Sequence, residues 1–372
     1  MKKIDVKDNT RRVAEPPTRK RRRTVLRALE GLLLLFIVVV AVLGVYVAKS
    51  FRDAEKNGGY AEEWHDGADG SLLSDVAYGD REWELMDVYL PKEREPSKVK
   101  GAILFVHGGG WTSGSRANEQ GFARHFAKEG WLTANMEYIL YNDRLSDEEK
   151  AEYSVYKVLD EIDLALAKLK EVGAEHGYDV EKVAVSGHSA GGHLSALYGY
   201  TYKTRENANP PVEVAFVAPR AGPTDFYTPD AWGPGGGDLS GPASFLSFMS
   251  GVPTTADDLR GPNEKALMAA RLISPAAFIG KSAVPTLAAY GGKDSVVPYT
   301  QYLALIREFG ERNARGIAET PPESNTLVFD LLIFPNSNHM LGRDPSVTQK
   351  WYEYFNAYSE RYLTTNARAS DN

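Results

Sequence analysis

The stretch that decides the fold is Gly187-His188-Ser189-Ala190-Gly191. It follows the β-branched, apolar run 182–186 and precedes 192–198, which has the composition of a helix. A strand, a Gly-x-Ser-x-Gly turn and a helix in this order form the context that a nucleophile elbow requires. Glycines are needed two residues either side of the serine because so tight a turn leaves no room for side chains there. We therefore predict that Ser189 lies in a strained turn above a sheet, with the amino end of the next helix aimed at the same point.

The composition is that of a globular protein with ample apolar material for a core. Of the 372 residues, 43% are hydrophobic and 25% are charged, which argues against a disordered or fibrous chain. A chain of this length accommodates two domains or one α/β domain with extensions. Cysteine is absent, which excludes disulfides, thiolate catalysis and cysteine-ligated zinc but leaves the compartment open.

The amino-terminal arm differs in charge from the rest of the chain. Residues 1–27 carry eleven lysines and arginines against three acids, a net charge of +8, whereas the whole chain carries −7. The remaining residues therefore carry −15. A basic arm is typical of proteins that bind nucleic acid or anionic lipid, and the segment after it decides between them.

That segment, residues 31–48, is uncharged and almost wholly apolar. As a helix it would measure about 27 Å, close to the thickness of a bilayer core. The basic cluster 19–23 precedes it, so the positive-inside rule predicts a cytoplasmic tail at 1–30, a transmembrane signal-anchor at 31–48 and an extracytoplasmic remainder. The expected partner is thus the lipid bilayer rather than nucleic acid. A cleaved signal peptide, which would leave a secreted protein, is the alternative; the long basic lead and the poor cleavage candidate at 48–50 favour the anchor.

After a linker at 49–74, strand-like and helix-like segments alternate, which is typical of a mostly parallel sheet with helical crossovers. Eight strands are predicted, at 75–78, 83–90, 102–106, 131–136, 182–186, 212–217, 285–290 and 326–334. Helices are predicted near 118–129, 152–172, 190–202, 298–309 and 347–362. We therefore predict one α/β domain over 75–363, with an eight-stranded sheet flanked by helices, and a disordered tail at 364–372.

Residues 228–281 interrupt this alternation. They contain the glycine-rich run 233–237 and the apolar side chains Phe245, Leu246, Phe248 and Met249. An insertion of this length is usually functional or mobile. We interpret it as a small cap whose aromatic residues line a substrate pocket; the alternative is a packed surface excursion without substrate contact.

The partners of Ser189 follow from the chemistry of a serine nucleophile. Its hydroxyl needs a histidine to take the proton and a carboxylate to orient that histidine. In folds with a nucleophile elbow the chain order is serine, acid, histidine. Two histidines follow Ser189. His193 lies four residues along the elbow helix, where its ring cannot swing above the serine, and we expect a packing or supporting role. His339 lies in a loop between the last strand and the last helix and is the predicted base.

Asp294 is the predicted acid. It follows the strand 285–290 and two glycines, and it precedes Pro298, a residue suited to the first turn of a helix. Asp225, in the loop after the preceding strand, is the alternative. A triad acid can also occupy that place, although shaping the pocket floor or bracing a loop fits it better. Asp294 could also cap the helix that follows it.

The run His107-Gly108-Gly109-Gly110-Trp111 follows the strand 102–106. An attacked carbonyl becomes an oxyanion that needs preorganised N–H donors, and glycines let the backbone approach it closely. We predict that the amides of Gly108, Gly109 and Ala190 form this oxyanion hole. We expect His107 to brace the loop and Trp111 to bind substrate as a pocket wall; the alternative for Trp111 is a core-capping aromatic.

These motifs resemble those of the α/β-hydrolase fold over about 75–363. The resemblance is carried by 107–111, 187–194, 291–294 and His339, in that order. More narrowly, they are similar to the esterase and lipase branch with an HGGG oxyanion loop, nearest to the BD-FAE-type (feruloyl and acetyl-xylan) esterases. His188 supports this narrower assignment, because enzymes of the hormone-sensitive-lipase type usually have aspartate before the nucleophile.

The resemblance implies a serine hydrolase that cleaves carboxylic esters through an acyl-enzyme, and the anchor predicted at 31–48 would tether it to the membrane. Acyl groups on carbohydrate are among the substrates it implies, and neither a metal nor an organic cofactor is expected. Arylformamidases share a similar His-Gly-Gly-x-Trp loop, so an amidase, formamidase or peptidase on the same fold is the first alternative. A catalytically silent binding module is the second, and the full set of motifs disfavours it.

Overall fold

A mostly parallel β-sheet of nine strands lies at the centre of the protein and carries the site on its carboxyl edge. The computed structural model describes residues 62–92, 101–206, 208–227, 238–261, 263–280, 283–310, 314–317 and 329–364. All of them belong to one unit, Ser50–Asn372. The predicted tail 1–30, the anchor 31–48 and the first half of the linker, 49–61, lie outside the described residues, as do the run 233–237 and the last eight residues.

The strands are β1 (Gly70–Ala77), β2 (Leu85–Pro91), β3 (Gly101–Val106), β4 (Leu132–Met136), β5 (Lys182–His188), β6 (Glu213–Arg220), β7 (Thr286–Gly291), β8 (Ala314–Ile317) and β9 (Phe329–Phe334). Their order in the sheet is β1-β2-β4-β3-β5-β6-β7-β9-β8. The β1–β2 and β2–β4 pairs are antiparallel and all the other pairs are parallel. The mostly parallel α/β architecture is therefore confirmed.

The sheet differs from the prediction chiefly in the start of β1 and in one additional strand. All eight predicted strands occur, but β1 begins at Gly70, inside the segment predicted to be a linker. The ninth strand, β8, pairs with β9 at the edge of the sheet. Its four residues, Ala-Arg-Gly-Ile, are too short and too mixed in polarity to give a strand signal.

The helices are α1 (Gln120–Lys128), α2 (Asp147–Glu152), α3 (Val155–Glu175), α4 (Ala190–Thr201), α5 (Ser240–Ser250), α6 (Ala256–Arg260), α7 (Glu264–Leu272), α8 (Thr300–Gly310) and α9 (Pro345–Tyr362). Short 3-10 turns lie at Arg116–Glu119 and Pro275–Phe278. Among the described residues, no helix is both long enough and apolar enough to cross a bilayer.

The centre of the core is built by β3, β5 and α4. Every residue of β3 is buried, as is every residue of β5 except Lys182, because helices cover both faces of a parallel sheet. All twelve residues of α4 are buried, so this helix has no polar face and is enclosed on every side. The elbow between β5 and α4 is thereby held between rigid elements.

Helices α5, α6 and α7 lie within the predicted insertion. Phe245 of α5 packs against Trp111 with ring centroids 5.5 Å apart. Phe248 of the same helix stacks on Tyr141 at 4.3 Å. Aromatic side chains of the insertion are therefore engaged with the loops at the carboxyl edge of the sheet.

Candidate active site

Ser189 forms the sharp turn between β5 and α4. Its φ and ψ are 56° and −119°, a conformation that costs a residue with a side chain free energy and is found where function requires it. A Cβ on Gly191 would overlap the carbonyl oxygen of Val106, and one on Gly187 would lie 2.6 Å from the carbonyl oxygen of Gly191. The two glycines of the motif are thus required by close packing of backbone on backbone.

His339 and Asp294 are brought to this turn. The Oγ of Ser189 lies 2.8 Å from Nε2 of His339, and Nδ1 of His339 lies 2.7 Å from Oδ2 of Asp294. A carboxylate only accepts hydrogen bonds, so Nδ1 carries the proton and Nε2 is free to accept from the serine hydroxyl. The side chain of Asp294 has no exposed surface and that of His339 retains 8%.

Asp294 also caps the turn that follows it. Its Oδ1 accepts hydrogen bonds from the amides of Val296 and Val297, at 2.8 Å and 2.9 Å. One carboxylate oxygen thus faces His339 while the other is held by the backbone. The orientation of the carboxylate is fixed from both sides.

Asp225, the alternative acid, belongs to a different network. Its carboxylate accepts from the amide of Tyr227 at 2.8 Å and from Arg307 at 3.4 Å. Its backbone amide and carbonyl are both bonded to the side chain of Gln301. The structure therefore brings Asp294, and not Asp225, to His339, and Asp225 braces its own loop.

Two of the three predicted oxyanion donors lie directly beside Ser189. A Cβ on Gly108 would lie 3.2 Å from Cβ of Ser189 and 2.6 Å from the carbonyl oxygen of His188. Ala190 is the first residue of α4, where a helix leaves its N–H groups without an intrahelical acceptor. Within the described part of the chain, the amides of Gly108, Gly109 and Ala190 have no acceptor. They are available to a negatively charged oxygen.

The glycine loop is held by a tight turn and by His107. The carbonyl of Gly109 accepts from the amide and the hydroxyl of Ser113, at 3.1 Å and 2.8 Å. His107 is fully buried, stacks on Tyr138 at 4.2 Å, and places Nδ1 2.7 Å from the carbonyl oxygen of Gly108. His107 thus braces the glycine loop through Gly108 and Tyr138.

The chain is similar to a family model and to curated proteins. The sequence profile of BD-FAE matches residues 86–309, more than half of the chain. Esterase LipC of Mycobacterium tuberculosis is 30% identical over 269 residues, which cover 69% of this chain and 60% of that protein. The chain belongs to the BD-FAE family. Its motifs therefore stand in an α/β-hydrolase context, as expected.

Two further proteins are similar to this chain, one in its fold and one over part of its sequence. The crystal structure of esterase B from Lactobacillus rhamnosis superposes on this BD-FAE chain with a TM-score of 0.61 at 19% identity, covering 87% of this chain and 95% of that one, which shows the shared fold. Kynurenine formamidase of Danio rerio is 28% identical over 149 residues, 39% of this chain and 44% of that protein. The matches thus span less than two thirds of the length of these curated relatives.

Trp111 lies in an aromatic cluster of this BD-FAE domain. Its indole is 8% exposed, packs against Phe226 and Phe245, and donates its N–H to Nδ1 of His193 at 3.2 Å. This is the core-capping environment named as the alternative. Contact of Trp111 with substrate stays a prediction.

Sequence reasoning did not find the group that holds His339. The ring of His188 is buried, and its Nε2 lies 2.7 Å from the backbone carbonyl oxygen of His339, to which it donates. Burial, followed by the neighbouring His339 and Arg220, lowers the pKa of His188 well below its usual value. His188 is therefore neutral, with its proton on Nε2. The position of His188 before Ser189 indicated a family, but nothing in the local sequence indicated the contact with His339.

A buried ion pair beneath the elbow was also missed. The guanidinium of Arg220 pairs with Glu119, and both side chains are almost wholly buried. It also lies 3.7 Å above the ring of Phe122, while the backbone carbonyl of Arg220 accepts from the amide of Ser189 at 2.8 Å. Burial raises the pKa of Glu119, and Arg220 opposes that rise. A lone arginine at the end of a strand gives no sequence signal for such a pair.

The site offers no evident place for a metal. Across the residues that the structure describes, no group of three or more histidine, aspartate or glutamate side chains is arranged to hold an ion.

Proposed function

We propose that this protein is a serine hydrolase that cleaves carboxylic esters. The observation that carries the proposal is the hydrogen-bonded series from Asp294 through His339 to Ser189, at 2.7 Å and 2.8 Å. The relative LipC is an esterase, and this similarity supports ester hydrolysis as the reaction. Membership of the BD-FAE family adds fold and motif context.

The proposed reaction begins with proton transfer from Ser189 to His339. As Oγ attacks the ester carbonyl carbon, the hydroxyl proton moves to Nε2, and Asp294 stabilises the imidazolium that forms. The former carbonyl oxygen becomes an oxyanion that accepts from the amides of Gly108, Gly109 and Ala190. Collapse breaks the bond to the alcohol, which leaves with the proton from Nε2. Water repeats the sequence on the acyl-enzyme and releases the acid.

For the substrate we propose a chemical class and not a single compound. Acyl groups on carbohydrate fit the family resemblance, and a site outside the membrane would give access to envelope polysaccharide or incoming esters. The aromatic residues of the insertion would then flank the acyl or alcohol part of the substrate. Small aryl esters are the simplest probes because they report on acylation regardless of the natural alcohol.

Hydrolysis of an amide or formamide is the second candidate. The similarity to kynurenine formamidase over 149 residues favours it, and the same triad and oxyanion amides would serve a C–N bond. Ester and amide differ in the leaving group, which His339 must protonate in either case. A panel with both bond types separates them.

We further propose that residues 31–48 anchor the protein in the cell membrane, with the amino terminus in the cytoplasm and the catalytic domain outside. The apolar run of residues 31–48 and the basic cluster 19–23 support this topology. Fractionation of cells expressing the full chain tests it. Recovery of a shortened protein in the soluble exported fraction would instead indicate signal cleavage and secretion.

The activity test uses the full chain in detergent. We expect Ser189-dependent release of p-nitrophenol from a series of acyl esters and labelling by a fluorophosphonate probe, both lost in Ser189→Ala. Ser195→Ala is the matched control, because Ser195 lies on the same helix and its hydroxyl donates to the carbonyl of Gly192, away from the Ser189–His339–Asp294 series. Turnover of formyl-kynurenine and aminoacyl amides without ester turnover would contradict the ester proposal. No labelling of the intact protein would favour a binding module.

A further inference from the structure

The ring of His193 has a partner at each nitrogen. Its Nδ1 lies 3.2 Å from the indole nitrogen of Trp111, and its Nε2 lies 2.8 Å from the carbonyl oxygen of Ile273. An indole N–H only donates and a backbone carbonyl only accepts. The ring is therefore the neutral tautomer with its proton on Nε2.

The two partners belong to different segments of the chain. Trp111 lies at the end of the glycine loop, in a positive-φ conformation of 60°. Ile273 follows directly on α7, in the insertion. His193 itself lies on α4, where its amide donates to the carbonyl of Ser189 at 2.9 Å. One side chain thus connects the helix of the serine, the glycine loop and the insertion.

The connection lies in a dry environment. His193 is fully buried, and its ring meets the indole of Trp111 edge-on, with centroids 5.2 Å apart. Burial lowers the pKa of His193 to about 4, so Nδ1 is unprotonated at neutral pH and can accept. A buried N–H that loses its acceptor keeps its full desolvation cost, so the hydrogen bond is strongly preferred. The hydrogen bond to Nδ1 of His193 therefore holds the indole of Trp111 in place.

The backbone of Trp111 is coupled to the predicted oxyanion amides. The carbonyl of Trp111 accepts from the amide of Tyr141 at 2.9 Å. The carbonyl of Gly109 accepts from the amide of Ser113, which closes the turn around Trp111. A shift of the indole would therefore move this turn, and with it the amides of Gly108 and Gly109.

We propose that His193 is a positioning residue that keeps the glycine loop in register with Ser189 by accepting from Trp111, and that ties this loop to the insertion through Ile273. The proposal rests on the proposed function, since it assigns His193 a part in that reaction. His193 does not contact the reacting atoms and acts through the loop amides.

Two amide substitutions separate the two hydrogen bonds. In His193→Asn, the amide oxygen takes the place of Nδ1 and accepts from Trp111, but no donor reaches Ile273. In His193→Gln, the amide nitrogen takes the place of Nε2 and donates to Ile273, but Trp111 loses its acceptor. Each variant gives up one buried hydrogen bond, so a purely structural role predicts similar losses of Tm and similar losses of kcat.

We expect the two variants to differ in kcat. His193→Gln should lower kcat about tenfold or more with KM within about twofold, because displaced oxyanion donors act on the transition state. His193→Asn should lower kcat no more than about threefold. Trp111→Phe, which removes only the donor, should resemble His193→Gln, and combining the two should add little. Equal losses in the two His193 variants, or additive losses in the double variant, would overturn the proposal.

An NMR measurement tests the hydrogen bond without relying on activity. The indole N–H resonance of Trp111, identified by its loss in Trp111→Phe, should move in His193→Gln and stay near its wild-type position in His193→Asn. An unmoved resonance in His193→Gln would refute the proposal even where Ser189-dependent hydrolysis is present. Conversely, the expected shifts in a protein that hydrolyses no ester would leave the hydrogen bond standing and defeat the proposed function.

Discussion

His188 donates a hydrogen bond from Nε2 to the backbone carbonyl of His339 at 2.7 Å, and the two imidazole rings lie 4.8 Å apart. The residue before the nucleophile therefore holds the loop that carries the predicted base. The bond joins the end of β5 to the loop that contains His339. It therefore helps to hold the ring of His339 within hydrogen-bond distance of Ser189.

Removal of this donor should weaken catalysis without changing substrate binding. We expect His188→Phe, which keeps a ring but cannot donate, to lower kcat about tenfold with KM nearly unchanged, because the base loses its alignment with Oγ. Steady-state kinetics on an aryl ester measure both constants. His176→Phe, at an exposed position, is the matched control and should behave as wild type. A raised KM with normal kcat would contradict the interpretation.

The assignment of the acid is tested by two equivalent amide substitutions. Asp294→Asn should lower kcat by about 10⁴-fold, the effect of replacing a triad carboxylate by an amide that favours the wrong histidine tautomer. Asp225→Asn should lower kcat far less, since Asp225 bonds to Tyr227 and Arg307. A larger loss in Asp225→Asn than in Asp294→Asn would reverse the assignment.

Gly108 is the most sensitive position of the glycine loop. A methyl group there would press on the carbonyl of His188 at 2.6 Å and displace an amide from the predicted oxyanion hole. We expect Gly108→Ala to lower kcat about a hundredfold, the effect of losing one such donor. Gly310→Ala, where a Cβ would meet nothing within 4 Å, provides the control. Activity of Gly108→Ala close to that of wild type would exclude Gly108 from the oxyanion hole.

The depressed pKa of His193 predicts a pH-dependent contribution to folding stability. The unfolded histidine takes up a proton near pH 6.5, whereas the folded one does so only near pH 4. The unfolded state therefore binds more protons in this window, and stability falls as pH falls, by about 1.4 kcal/mol per pH unit from this group. The asparagine of His193→Asn does not titrate, so the stability advantage of wild type over this variant should shrink from pH 6.5 to pH 4. Urea unfolding at several pH values measures it; a constant difference would show that the folded pKa is not depressed.

The Arg220–Glu119 pair should matter for stability more than for chemistry. Arg220→Met leaves Glu119 buried without its counter-charge, and we expect a loss of about 3–5 kcal/mol in unfolding free energy. The double variant Arg220→Met, Glu119→Gln should recover part of it because no charge remains buried. Ser189 bonds to the backbone carbonyl of Arg220, which survives both changes. Loss of kcat in a variant that stays folded would therefore show that the pair also orients the elbow.

Local patterns predicted the parts of the fold and site that depend on neighbours in sequence. The elbow could be predicted because its strand, glycines and helix are contiguous. His339 and Asp294 could be predicted because serine chemistry demands both residue types and chain order restricts the candidates. Edge strand β8 could not, since four residues carry too little periodicity.

The supporting contacts could not be predicted because they join distant residues of unremarkable type. His188 and His339 are 151 positions apart, Arg220 and Glu119 are 101 apart, and Trp111 and His193 are 82 apart. Each contact depends on how the chain orders its strands in the sheet, not on local spacing. The sequence therefore predicted the candidate reacting groups better than the side chains that hold them.

The central claim, that Ser189 carries the acyl group, is tested most directly by mass spectrometry. The full chain is mixed briefly with p-nitrophenyl acetate, quenched in acid and digested. We expect one acetyl group on the peptide that contains Ser189 in the wild type, and none on this peptide in Ser189→Ala. An acetyl group on another residue of the wild type, or unchanged ester turnover by Ser189→Ala, would contradict it.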